Sequence, residues 1–250
     1  IADAVATIVI NRPEKRNALN AAVRREIVEV LDALRAREDV RVIVFTGAGD
    51  RAFVAGADIG EFAERTPVEQ RAVMEGRRVF DEVAACPKPT IAMINGYAFG
   101  GGCELALACD IRIGTTGARY GLPQVAKGGM PVNGGTQRLP RLIGPGPAMQ
   151  MILTGEPIDA NEALRTGLLH RVVPAEQLIS TAREMARTMG AKSALSMIFA
   201  KEALYSAMDL TLDQGLSKEL DLYLQMFGTD DRTEGISAFR EKRSPEFKRP

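Results

Sequence analysis

The sequence has no tryptophan, a single histidine (His170) and only three cysteines, Cys86, Cys103 and Cys109. One imidazole gives no support for a Ser-His-Asp triad, and no Cys or His cluster has the spacing of a metal site, so no metal ligand is assigned. An odd number of cysteines in apolar or small-residue surroundings reads as buried thiols in a reducing compartment, not as a disulfide framework. No stretch reaches the ~20 apolar residues that span a bilayer, and the first residues alternate like a strand rather than resembling a signal peptide. No membrane partner and a cytoplasmic or matrix-like location are therefore expected. An excess of one charge is also missing, because 32 Lys and Arg balance 32 Asp and Glu. No whole-protein field draws the chain to nucleic acid. A carboxylate is left to carry most proton transfers.

What is present is an alternation of strand, glycine turn and helix. Residues 5–10 are rich in β-branched side chains and end at Asn11-Arg12-Pro13. Asn20 is a candidate N-cap for a helix whose apolar stripe is Val23, Ile27, Val30, Leu31 and Leu34, ending near Arg37. The continuously apolar residues 42–46 read as a strand covered on both faces. A helical pattern around Val73, Val79, Phe80 and Val83 stops at Cys86-Pro87-Lys88-Pro89. Residues 90–94 and 111–113 are further strands, with a tight loop at 95–102 and a helix from Cys103 to Cys109 between them. The recurrence predicts a right-handed coil of β and α units. Past Ile143 strand signals fade. Asp159, Glu162 and Gly167 bracket a short helix, and residues 174–189, 193–208 and 211–227 read as longer ones. This C-terminal helical region carries more apolar surface than a hairpin buries alone, which predicts packing on the core and on other subunits.

The run Gly100-Gly101-Gly102 before Cys103 lets the backbone approach a ligand closely while the following helix directs free amides outward. Phosphate is the usual occupant of such a place, yet there is no P-loop motif and Glu104 follows within the first helical turn. A fixed carboxylate repels phosphate. It does not repel a neutral thioester whose oxygen gains charge only in the transition state. Taken alone, Glu104 is an acid favourably placed at a helix N-terminus. It lies, however, beside Leu105 and Ala106 in a segment that reads as buried, where a carboxylate needs a reason to be. Burial raises its pKa and the helix dipole lowers it, and the sequence leaves that balance open. The stretch Ala55-Gly56-Ala57-Asp58-Ile59 is by itself a turn between core elements. A near-match to a dinucleotide fingerprint at Gly47-Ala48-Gly49-Asp50 lacks the helix it would need.

Several segments together resemble the crotonase superfamily, the enoyl-CoA hydratase/isomerase family. They are Asn11-Arg12-Pro13 with Asn17-Ala18-Leu19-Asn20, residues 53–59, residues 95–104, Cys109-Asp110-Ile111, Gly134-Gly135-Thr136-Gln137-Arg138-Leu139, Leu153-Thr154-Gly155, Gly167-Leu168 and Gly235-Ile236-Ser237-Ala238-Phe239. The resemblance implies an α/β fold: a spiral of β-β-α units over residues 1–190 with the acyl-CoA site, and a helical region at 191–250 that builds homotrimers or homohexamers. It implies an acyl-CoA substrate, with coenzyme A entering as part of the thioester and no tightly bound cofactor. By the same resemblance the amides of Ala57 and Gly101 form an oxyanion hole, Glu104 is the acid/base, and Arg16, Ala18, Ala55, Asp58, Ile59 and Pro123 line the coenzyme A site. Lys242 reads as a surface lysine.

Two departures from the family pattern bear on the chemistry. Gln124 stands where typical hydratases have a second glutamate, and an amide orients water but transfers no catalytic proton at neutral pH. Val132 replaces a glycine that helps hold the water, so it narrows the pocket or reshapes its loop. Hydration of a 2-enoyl-CoA by Glu104 alone, with Gln124 positioning the water, is the leading expectation. Double-bond isomerisation, hydration of an unusual (for example cyclic) acyl-CoA, and a non-catalytic acyl-CoA-binding subunit are the alternatives.

Overall fold

The β-branched run at the start forms β1 (Val5–Ile10), and Asn20 caps α1 (Ala21–Arg35) by accepting a hydrogen bond from Val23 N at 2.9 Å. The computed structural model describes residues 1–61 and 63–247. After α1 the chain makes three turns of strand, strand, helix. The first is β2 (Val42–Gly47), β3 (Ala52–Val54), α2 (Pro67–Glu75) and α3 (Val79–Ala84). The second is β4 (Thr90–Ile94), β5 (Tyr97–Phe99) and α4 (Gly101–Ala108). The third is β6 (Ile111–Thr115), β7 (Arg119–Gly121), α5 (Gly135–Ile143) and α6 (Pro145–Thr154). There follow β8 (Ile158–Asp159), α7 (Ala160–Arg165), β9 (Arg171–Val173), α8 (Leu178–Gly190), α9 (Ala194–Ser206), α10 (Leu212–Phe227) and α11 (Asp230–Glu241).

Each turn deposits one strand in each of two sheets. The first sheet is parallel, in the order β1-β2-β4-β6-β9, and the second has the order β3-β5-β7-β8 with only β8 antiparallel. Alternate residues of the parallel strands face different layers. Val42, Val44, Ile91 and Met93 pack on Leu178, Ala182 and Ala186 of α8, while Ile43, Phe45, Ala92 and Ile94 join the main core. That two-sided burial explains why these strands read as unbroken apolar runs.

The structure corrects four sequence expectations. The helical pattern around Val73–Val83 is two helices, because Gly76 is extended (ψ −174°) and Arg77 turns outward to bind Asp32 and Glu82. The predicted loop at 95–102 contains β5, and its helix begins at Gly101 rather than Cys103. Strands do continue past Ile143: β9 is the edge strand of the parallel sheet, too short to show a period. Finally, the longer helices read at 174–189, 193–208 and 211–227 are joined by a fourth, α11, inside the helical region expected at 191–250; its Asp- and Arg-rich sequence has no clear apolar stripe to mark it. Among the described residues no helix is long and apolar enough to cross a membrane.

The C-terminal helices dock through a half-buried acid. Asp110 accepts hydrogen bonds from Thr90 N at 2.7 Å, from Lys201 Nζ at 2.7 Å and from Tyr205 Oη at 2.8 Å, which fastens α9 to the start of β4. Next to it the buried Arg112 gives its Nη1 to the Cys109 carbonyl at 2.6 Å and its Nε to the Leu168 carbonyl at 2.7 Å. A cation at the carbonyl end of α4 suits that helix's dipole and fixes its far end.

Candidate active site

Gly100 has φ +52° and ψ −120°, a conformation essentially closed to residues with a side chain, and it turns the chain from β5 into α4. Its N–H is used, donating to the Gly121 carbonyl at 2.9 Å. Gly102 serves a different purpose: a Cβ there would lie 1.9 Å from the Val54 carbonyl oxygen, so α4 presses directly on β3. That contact sets the first turn of α4 against residues 55–57. A methyl group on Gly101 would stand 3.5 Å from the Ala57 nitrogen, which brings the two predicted amides into one small region.

The direction of the Ala57 amide follows from its neighbours. Leu19 N donates to the Gly56 carbonyl at 2.9 Å and Asp58 N donates to the Leu19 carbonyl at 3.0 Å, forming a parallel bridge in which Ala57 is the residue straddled. In that pattern the straddled residue's own N–H points away from the bridge. Gly101 N–H lies in the first turn of α4, where no intrahelical acceptor exists. Among the described residues neither amide donates to a protein acceptor.

Glu104 lies one turn along α4 from Gly101, with 1% of its surface exposed in a helix that is buried throughout. Its Oε1 accepts from Asn133 N at 2.7 Å and Gly135 N at 3.1 Å, while Oε2 accepts from Asn133 Nδ2 at the longer distance of 3.5 Å. Among the described residues it forms no ion pair. Burial raises its pKa above the usual carboxylate range, and the hydrogen bonds from the 132–135 segment only partly oppose that. The balance left open by the sequence thus falls on the side of desolvation. The neighbouring Cys103 thiol, buried and beside this carboxylate, is pushed up to about 12 and stays neutral.

The remaining predicted residues divide into two groups. Pro123 opens a 3-10 turn (Pro123–Lys127) that presents Gln124, whose Nε2 is 3.6 Å from where a Gly100 Cβ would sit. The Gln124 Oε1 is buried without a partner among the described residues. Arg16, Ala18, Ala55, Asp58 and Ile59 gather on two adjacent segments, joined by Ala55 N to the Arg16 carbonyl at 3.0 Å. Arg16 and Ile59 are exposed, whereas Asp58 is engaged by Arg12 at 3.2 Å. Asn17, buried at φ +59°, pins this corner through Nδ2 to the carbonyls of Ala48 and Ala52. Val132 does not close the loop over Glu104; its side chain is 51% exposed and the backbone around it still turns amides toward the carboxylate. Asn133, which holds both carboxylate oxygens, carried no sequence expectation. It is 29 residues from Glu104, and its only signal was a polar residue just before two glycines.

The family model described as enoyl-CoA hydratase/isomerase matches residues 1–250. The chain belongs to the enoyl-CoA hydratase/isomerase family. Its relatives include the short-chain-enoyl-CoA hydratase of Clostridium acetobutylicum, 41% identical over 97% of this chain and 93% of that protein. The crotonyl-CoA hydratase of Syntrophomonas wolfei is also 41% identical, over 97% of this chain and 94% of the other. The crystal structure of the Bacillus anthracis enoyl-CoA hydratase superposes with a TM-score of 0.94 at 41% identity, covering 98% of this chain and 96% of that one. The spiral of β-β-α turns with its helical C-terminal region is therefore the crotonase fold, and the chain is an enzyme of that family, as its motifs implied.

Proposed function

We propose that this enzyme hydrates 2-enoyl-CoA thioesters, with Glu104 as its one acid/base. The observation that carries the reading is the pairing of two amides, Ala57 and Gly101, with a buried carboxylate, where among the described residues the amides have no acceptor and the carboxylate no cationic partner. The thioester oxygen accepts from both amides. Glu104 takes a proton from water as the water oxygen bonds to the β-carbon and the π electrons move onto the thioester oxygen as an enolate. When the enolate collapses, Glu104 returns that proton to the α-carbon, so one water is added and the carboxylate is regenerated. Oε2 is the oxygen available for this transfer, because Oε1 already holds two amides. A raised pKa suits a group that must gain and lose a proton near neutrality. Each oxyanion donor is worth roughly 10²–10³ in rate where such donors have been removed.

Gln124 orients the attacking water through its Oε1, which is buried without a partner among the described residues, and transfers no proton. Arg16, Ala18, Ala55, Asp58, Ile59 and Pro123 form the coenzyme A wall. The C-terminal helices assemble homotrimers, or hexamers made from them; the support is the exposed apolar face of α10, with Leu212, Leu216, Leu220 and Leu224.

The test is loss of the conjugated double bond of crotonyl-CoA, with products compared across 2-enoyl, 3-enoyl and cyclic enoyl-CoA. Glu104→Gln is expected to lower hydration by at least ~10²-fold, the usual worth of general acid-base catalysis. Unchanged turnover in this variant rejects the mechanism. Conversion of 3-enoyl substrates without hydration assigns the site to isomerisation instead.

A further inference from the structure

Given Glu104 as the acid/base group, on which this inference rests, we propose that Arg138 is a positioning residue that ties Asp81 of α3 to the Asn133 carbonyl and thereby fixes the amides holding Glu104. Arg138 lies one turn into α5. Its Nη1 donates to the Asn133 carbonyl at 3.1 Å and its Nη2 donates to Asp81 Oδ1 at 3.0 Å. Arg78 occupies the other Asp81 oxygen, Oδ2, with its Nε at 2.6 Å, so the acid is held from its own helix while it holds Arg138.

The peptide joining Asn133 to Gly134 is the pivot. Gly134 has φ +96°, and a Cβ there would meet Arg138 Nη1 at 2.1 Å, so glycine leaves room for the guanidinium but supplies no stiffness of its own. A peptide unit is planar. A bond to the Asn133 carbonyl therefore fixes the plane between the two amides, Asn133 N and Gly135 N, that grip Glu104 Oε1. The Arg138 backbone N–H secures the next unit through the Gly134 carbonyl at 2.7 Å. Asp81, Arg138, Asn133 and Glu104 thus form a strut from α3 to the carboxylate. Among the described residues the charged or titratable groups beside this strut are Cys103 on α4, which stays a neutral thiol, and Arg78, which precedes α3 and pairs with Asp81; of the others on α3 and α5, Glu82 pairs with Arg35 and Arg77 and Arg141 donates to the Gln137 carbonyl. The 3-10 turn at Pro123–Lys127 brings the neutral Gln124 to the neighbouring Gly100.

The experiment compares Arg138→Met, Asp81→Asn and the double variant. It uses the pH profile of kcat/KM with crotonyl-CoA and, independently of turnover, a carboxylate 13C NMR titration of Glu104 assigned by its absence in Glu104→Gln. Loss of the strut loosens hydrogen bonds to the charged form, so the Glu104 midpoint is expected to rise by roughly half to one pH unit in each single variant. In Arg138→Met kcat is expected to fall about tenfold, the rate equivalent of one such hydrogen bond, with KM held within about twofold. The double variant is expected to be no worse than Arg138→Met, because both act through one chain of contacts. A fall in kcat or melting temperature with an unmoved midpoint, or additive effects in the double variant, overturns the proposal. Should Arg138→Met fail to fold, Asp81→Asn decides alone: a raised midpoint supports the strut and an unmoved one overturns it. If Glu104→Gln keeps full turnover, the acid/base reading fails, and the NMR midpoint still reports whether Arg138 positions the carboxylate.

Discussion

Glu104 joins two demands that oppose each other, burial and charge. Its pKa in the folded chain is raised above the unfolded value of about 4.3, so its contribution to stability is fully present below that pH and is lost as pH rises through the folded value. Glutamine at this position still offers an oxygen to Asn133 N and Gly135 N but carries no charge. Glu104→Gln is therefore expected to melt higher than the parent at pH 8, by about 2–4 °C for each kcal/mol recovered, with the gain shrinking as pH falls toward 5. Calorimetry at the two pH values checks this, and a gain that is equal at both would contradict the assigned cause. The residue's importance was legible because its signals are local: three glycines, a helix start and an acid within five positions. Asn133 was not legible as a partner of Glu104, nor Arg138 as a link to Asp81, because contacts made across 29 and 57 residues depend on how the third spiral turn folds back over the first two.

Among the elements, α1 was readable to within two residues of its end, since a capping asparagine and a helical stripe act together within one segment. By contrast β3, β5 and β7 have three residues each, too few for a period of two to declare itself, and only pairing with one another makes them strands. The C-terminal helices show a further effect. On α10 the residues Leu212, Leu216, Leu220, Tyr223, Leu224 and Phe227 recur at helical spacing and are all exposed, Leu212 by 77%. An unbroken apolar stripe of this length on one helix face is the mark of a covered surface. For the proposed trimer or hexamer, Leu216→Glu with Leu220→Glu is expected to yield monomers in sedimentation equilibrium, since buried unpaired carboxylates are costly at an interface. An assembly of unchanged mass would place the subunit contact elsewhere.

At the scale of the whole molecule, the spiral explains why a few short motifs suffice. Each turn returns the chain to the same edge of the second sheet, so the ends of β3, β5 and β7 meet although they are far apart in sequence. Residues 55–57 leave β3, Gly100 and Gly101 leave β5, and Gln124 follows β7. Three successive turns thus supply one amide, a second amide with the acid, and the amide side chain that orients water in the proposed mechanism. The central claim is that the first two of these polarise a thioester carbonyl. In the proposed mechanism Glu104→Gln is expected to bind crotonyl-CoA without consuming it quickly, so the carbonyl stretch of thioester-labelled substrate can be read in the complex by isotope-edited infrared spectroscopy. The account predicts a stretch at lower frequency than in free crotonyl-CoA, reflecting hydrogen bonds from Ala57 and Gly101. A bound carbonyl at the frequency of the free thioester would contradict it.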